Sequence, residues 1–101
     1  MRVFVFAAAI LGLAAAAAQA EPVAIVAAEN FYGDVAARIG GKSVAVTSIL
    51  ANPDQDPHSF EAGASTARRI AASRLVVYNG ADYDPWMVKL LAGSPSSTRV
   101  V

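Results

Sequence analysis

The residues best suited to chemistry sit together in Asn52-Pro53-Asp54-Gln55-Asp56-Pro57-His58-Ser59-Phe60-Glu61, which carries the only histidine of the 101-residue chain. Two prolines fix their own φ, and Asn52 and Asp56, each preceding a proline, are biased toward extended backbone. His58 therefore acts from a defined place. Cysteine is absent, so a metal held here would need nitrogen and oxygen ligands. A neutral imidazole is the commonest metal ligand, and its second nitrogen needs a partner to fix the tautomer. The competing reading is a solvated loop histidine. Asp54 and Asp56 also have two readings, as formers of the proline turns or as partners that orient the imidazole, and the turn reading is the stronger. Glu61 reads as solvated.

The elements that must position this loop follow from periodicity. Val23 to Ala28 is a short apolar run that suits a buried strand. Asn30 is a suitable helix N-cap, Phe31, Val35 and Ile39 follow at i, i+4 and i+8 on one face, and Gly40-Gly41 supplies a stop. Val44 to Leu50 is a second β-prone run, and the histidine loop leaves its carboxyl end. Ser65 is placed to cap a short helix through Ser73, anchored by Ile70. Leu75-Val76-Val77-Tyr78 is a third strand, apolar at consecutive positions as expected when both sheet faces are covered. Asp84-Pro85 opens another helix as cap and first residue, with Trp86, Met87, Leu90 and Leu91 as its buried stripe. Gly93 to Ser97 is a loop, and Thr98 to Val101 starts a further strand.

The order β-α-β-loop-α-β-α-β argues for an α/β fold with a parallel sheet flanked by helices. Asn79-Gly80 could mark a hairpin turn, but a capped helix follows it. Ligands of open α/β sheets bind outside the carboxyl ends of the strands. The His58 loop and Asn79-Gly80-Ala81-Asp82 both lie at that edge. Asn79 is a candidate for shaping the cleft wall, and Tyr78 and Trp86 read as core. No glycine-rich phosphate loop is present, and Gly40-Gly41 lacks the lysine and spacing for one.

Residues 1–20 read as a cleaved export signal: Arg2, an uninterrupted apolar run from Val3 to Ala18, and the small-x-small site Ala18-Gln19-Ala20 before Glu21. The run is short for a bilayer span. No cysteine follows it, so there is neither a disulfide framework nor a lipid-attachment point. Cleavage leaves 81 residues, with seven basic against eight acidic, a formal charge of −1. One Arg-Arg pair, Arg68-Arg69, gives no footprint for nucleic acid. The expected product is exported and periplasmic, and the apparent strand at Val100-Val101 suggests the front piece of a longer protein.

Four blocks carry a family resemblance: Glu29-Asn30-Phe31-Tyr32, Ile39-Gly40-Gly41, Asn52 through Glu61, and Val76 through Met87. Together they are similar to the zinc/manganese-binding periplasmic solute-binding proteins of ABC importers, over nearly all of residues 21–101. The Asp56-Pro57-His58 segment, in register with its flanks, is the specific part. The resemblance implies the first part of the N-terminal lobe of a two-lobed protein, with a metal ion held in the cleft between lobes. It implies that His58 is the family's first metal-binding histidine. Further histidines and a carboxylate would come from later in the chain. Where the family often has prolines before the second helix, this chain has Ala62-Gly63-Ala64.

The expected function is periplasmic binding of Zn²⁺, more than Mn²⁺, and delivery to an ABC permease in the inner membrane. Lobe closure would signal loading to the permease. Zn²⁺ or Mn²⁺ would be cargo, with no organic cofactor, no catalytic residue and a monomeric protein. Two other classes compete. A hydrolase using His58 as general base would need a nucleophile, yet there is no Gly-x-Ser-x-Gly elbow and no cysteine. An adhesion module, as some relatives of the family are described, would favour a lipid anchor that this chain lacks.

Overall fold

The computed structural model describes residues 18–101; the export signal expected at 1–20 lies outside them save for Ala18, Gln19 and Ala20, which are exposed and irregular. Seven elements follow in order: β1 (Val23–Glu29), α1 (Asn30–Gly40), a 3-10 turn (Gly41–Ser43), β2 (Val44–Leu50), α2 (Ala64–Ala72), β3 (Leu75–Val77) and α3 (Pro85–Gly93). The strands form a parallel sheet in the order β2-β1-β3. Val100 bridges in parallel to Leu75, its N–H donating to Arg74 O at 2.9 Å and its carbonyl accepting from Val76 N at 3.0 Å. Of the strand expected at Thr98 to Val101, the described residues form only this isolated bridge beside β3.

Side chains alternate across a strand, so β1 serves two layers. Val26 and Ala28 pack with Leu50, Val76, Ile70 of α2 and Trp86 and Met87 of α3, which makes the core. Ala27 faces the other way, toward α1. Gly33 sets that contact, because a Cβ there would collide with Ser48 Oγ and fall 3.5 Å from Ala27 Cβ. A side chain at this position would have to turn the Ser48 hydroxyl aside.

Phe31, Val35 and Ile39 do share one face, but it is the solvent face: they are 49, 56 and 83% exposed. Three capping expectations also change. The N-cap of α1 is Glu29, and Asn30 is the first helical residue; the N-cap of α2 is Gly63, and Ser65 lies inside the helix. Asp84 does occupy the N-cap of α3 with Pro85 behind it, but its side chain makes no capping bond. Ile70 is buried as expected, Tyr78 packs against the core, and Leu90 and Leu91 are partly buried against it. Gly41, with φ of +52°, ends α1.

Candidate functional site

The chain visits β1, then β2 on one side, then β3 on the other, so strand order reverses around β1. Such a reversal opens a crevice at the carboxyl ends of the strands. Three segments meet there: the end of β1 at Glu29, the loop after β2 with His58, and the loop after β3 from Asn79 to Asp84.

The His58 loop is held from within. Asn52 Oδ1 accepts from Asp54 N at 3.0 Å, and Gln55 N donates to Asn52 O at 3.1 Å. Asp56 Oδ1 accepts from His58 N at 2.9 Å and lies 2.9 Å from His58 Nδ1. A carboxylate only accepts, so Nδ1 carries the proton in this contact. The backbone N–H of His58, then its ring, hold the Asp56 carboxyl below the usual range. Asp56 thus fills both expected roles: it forms the turn through the His58 N–H and orients the imidazole through Nδ1. Asp54 contributes its N–H to the turn. The His58 side chain is 60% exposed, and its ring meets Tyr83 edge-on, centroids 5.1 Å apart at 68°.

The loop after β3 is built differently. Gly80, Ala81 and Asp82 take φ of +72°, +51° and +60°, three left-handed residues in a row. Asp84 fixes them: its Oδ2 accepts from Asn79 N and its Oδ1 from Gly80 N, each at 2.8 Å. Tyr83 N donates to Gly80 O at 3.0 Å. Tyr32 of α1 donates its hydroxyl to Asn79 Oδ1 at 2.5 Å, which ties the first helix to this loop across the crevice. Burial, then the charges of Glu29 and Asp84, raise the Tyr32 phenol and keep it a donor. Asn79 is thus the point at which α1 and this loop are joined.

Sequence reasoning missed Glu29 as a participant. It is 2% exposed, and neither carboxylate oxygen meets a partner among the described residues. Burial, then the facing Asp84 carboxyl, push its pKa up to about 7. A charged residue closing an otherwise apolar strand was the available signal. Glu29 and Tyr83 line a cavity of ≈ 250 Å³ with Asn52, Pro53, Gln55 and Pro57 of the histidine loop. Among the described residues, no group of three or more His, Cys, Asp or Glu side chains is placed to hold a metal ion. Glu61, Arg68 and Arg69 are exposed, as expected of solvated residues.

A family model described as "Zinc-uptake complex component A periplasmic" matches residues 25–101. The fold is similar to the periplasmic zinc binding protein TroA from Treponema pallidum, at 24% identity and a TM-score of 0.69, covering 81% of this chain and 29% of that one. It is similar to a metal-free periplasmic metal binding protein from Candidatus Liberibacter asiaticus, at 21% identity and a TM-score of 0.66, covering 76% and 28%. It is also similar to Zn(II)-bound AdcA from Streptococcus pneumoniae, at 22% identity and a TM-score of 0.60, covering 71% and 15%. The chain thus spans less than a third of the length of each.

Proposed function

Because the chain belongs to the family of zinc-uptake complex component A, a family of periplasmic proteins, we propose that it captures a transition-metal ion and passes it to an ABC-type permease of the inner membrane. Zn²⁺ is the favoured cargo over Mn²⁺. Imidazole ligation leans to zinc, and two of the similar structures are described as zinc proteins. Family members are solute-binding proteins, and the chain is accordingly not an enzyme.

The observation that carries this reading is the Asp56–His58 contact at the carboxyl edge of the sheet. A carboxylate on Nδ1 fixes the tautomer, aims Nε2 outward and raises its basicity, the arrangement found behind metal-ligating histidines. One imidazole cannot hold a metal tightly, so the remaining ligands would come from a second lobe of the full-length protein. Residues 21–101 are then the beginning of its N-terminal lobe.

The test is His58→Ala in the full-length protein, titrated calorimetrically with Zn²⁺. Loss of one direct nitrogen ligand should weaken binding by about 100-fold or more, since changing an orienting partner alone costs about 10- to 100-fold. Binding should also weaken at acid pH, where protons compete for the ligands. Unchanged affinity in a folded His58→Ala protein would refute the assignment. For export, the exposed Ala18-Gln19-Ala20 segment supports cleavage before Glu21. N-terminal sequencing of periplasmic material should start there, and an intact Met1 terminus would refute it.

A further inference from the structure

We propose that Glu29 and Asp84 are positioning residues for His58: a buried carboxyl pair that builds the left-handed Gly80–Asp82 loop and thereby holds Tyr83 against the imidazole. The functional meaning rests on His58 being a metal ligand. The positioning itself is testable without metal.

The argument begins with burial. Asp84 is 0% and Glu29 2% exposed, and an unpaired buried charge is among the costliest things a fold can contain. No salt bridge among the described residues reaches either group. The titratable side chains that bear on Glu29 are Asp84 at the start of α3 and Tyr32 on α1, with Tyr83 acting on Tyr32 in turn. None is a cation. Asp84 is satisfied by two backbone N–H groups at 2.8 Å each, whereas Glu29 has no donor at all. One proton on Glu29, donated toward Asp84, resolves both problems: it removes one of two facing charges and supplies the missing hydrogen bond.

The pair's product is loop geometry. Left-handed backbone is unfavourable for Ala81 and Asp82, so something must hold it. Asp84 does so by gathering the N–H groups of Asn79 and Gly80, and Tyr32 steadies Asn79 from the other side of the crevice. Tyr83 follows directly and meets the His58 ring 5.1 Å away. The imidazole is then restrained twice, by Asp56 at Nδ1 and by Tyr83 at its ring. Loss of the shared proton would leave two buried anions facing each other under this loop.

The experiment is nuclear magnetic resonance on the metal-free full-length protein, with the His58 ring signal assigned by its loss in His58→Ala. Tyr83→Leu and Asp84→Ala should displace that signal in the same direction, because both remove the Tyr83 ring from its place. Glu29→Gln, which offers an uncharged N–H donor to Asp84, should leave it where it is. In the wild type the Asn79 and Gly80 amide signals should move as pH rises through about 7, and in Glu29→Gln they should stay put. An unmoved His58 signal in folded Asp84→Ala would overturn the proposal. Should that variant fail to fold, identical pH behaviour of the two amides in wild type and Glu29→Gln would overturn it instead. A zinc titration of His58→Ala runs alongside: unchanged affinity there refutes the metal reading, while the ring signal still decides the positioning role.

Discussion

Two loops leave the same edge of the sheet and are stabilised in different ways. The loop after β2 holds itself through contacts two and three residues apart, Asn52 with Asp54 and Gln55, and Asp56 with His58. Its bonds are exposed, and its stiffness comes from prolines. The loop after β3 also bonds locally, Asp84 to Asn79 and Gly80, but adds groups distant in sequence, Tyr32 on Asn79 and Glu29 facing Asp84, and its key carboxylates are buried. The difference separates two tasks. The first loop presents an imidazole to solvent, whereas the second is part of the fold and brings Tyr83 against that imidazole.

That contrast breaks most visibly in stability. Asp84→Ala deprives the Asn79 and Gly80 N–H groups of their charged acceptor and should lower unfolding free energy by about 2–4 kcal/mol. Asp56→Ala, in the exposed loop, should leave the denaturant midpoint where it is. Urea unfolding of both proteins is the measurement. A neutral Asp84→Ala, or a large loss in Asp56→Ala, would erase the distinction between the loops.

The contrast also explains what was legible in the sequence. The parallel α/β order, all three strands, Ile70 and the Trp86–Met87 core followed from apolar runs and turn residues, because those signals are local. The His58 loop was legible for the same reason: prolines and a lone histidine act on their own neighbours. Asp84 was misread as a capping side chain, because nothing local shows that its carboxylate turns back to Asn79 and Gly80. Glu29 was missed because its partner lies 55 residues away. The α1 stripe misled differently: Phe31, Val35 and Ile39 have core spacing, yet Gly33 is the point of contact and none of the described residues buries the stripe.

A second, smaller effect sharpens the comparison through pH. The Glu29 carboxyl sits at about 7 against an ordinary 4.5, so the folded protein binds that proton more tightly than the unfolded chain. Its contribution is fully present below about pH 4.5 and is lost as pH rises through about 7. A tenfold difference in proton affinity is worth about 1.4 kcal/mol, so the loss is on the order of 3 kcal/mol at most. Glu29→Gln should remove this part of the slope, flattening stability between about pH 5 and pH 8 relative to wild type. Parallel slopes in the two proteins would show that Glu29 carries no proton in the fold.

The smallest expected effect distinguishes two aspartates of one loop. Asp54 and Asp56 both adjoin prolines, and sequence gives them the same character. The structure does not: Asp56 Oδ1 lies 2.9 Å from His58 Nδ1, while Asp54 enters the turn only through its backbone N–H. Asp56→Ala frees the imidazole to rotate and to move its proton, and should weaken Zn²⁺ binding by about tenfold, the low end for an orienting partner. Asp56→Asn keeps an oxygen acceptor without the charge and should fall between that value and wild type. Asp54→Asn should leave affinity within about twofold, because the imidazole never depended on that side chain. Equal losses at positions 54 and 56 would mean that the loop's net negative charge, rather than the oriented ring, attracts the metal. Salt would then weaken binding in both variants alike, since a charge exposed to solvent is screened and a hydrogen bond that fixes a tautomer is not.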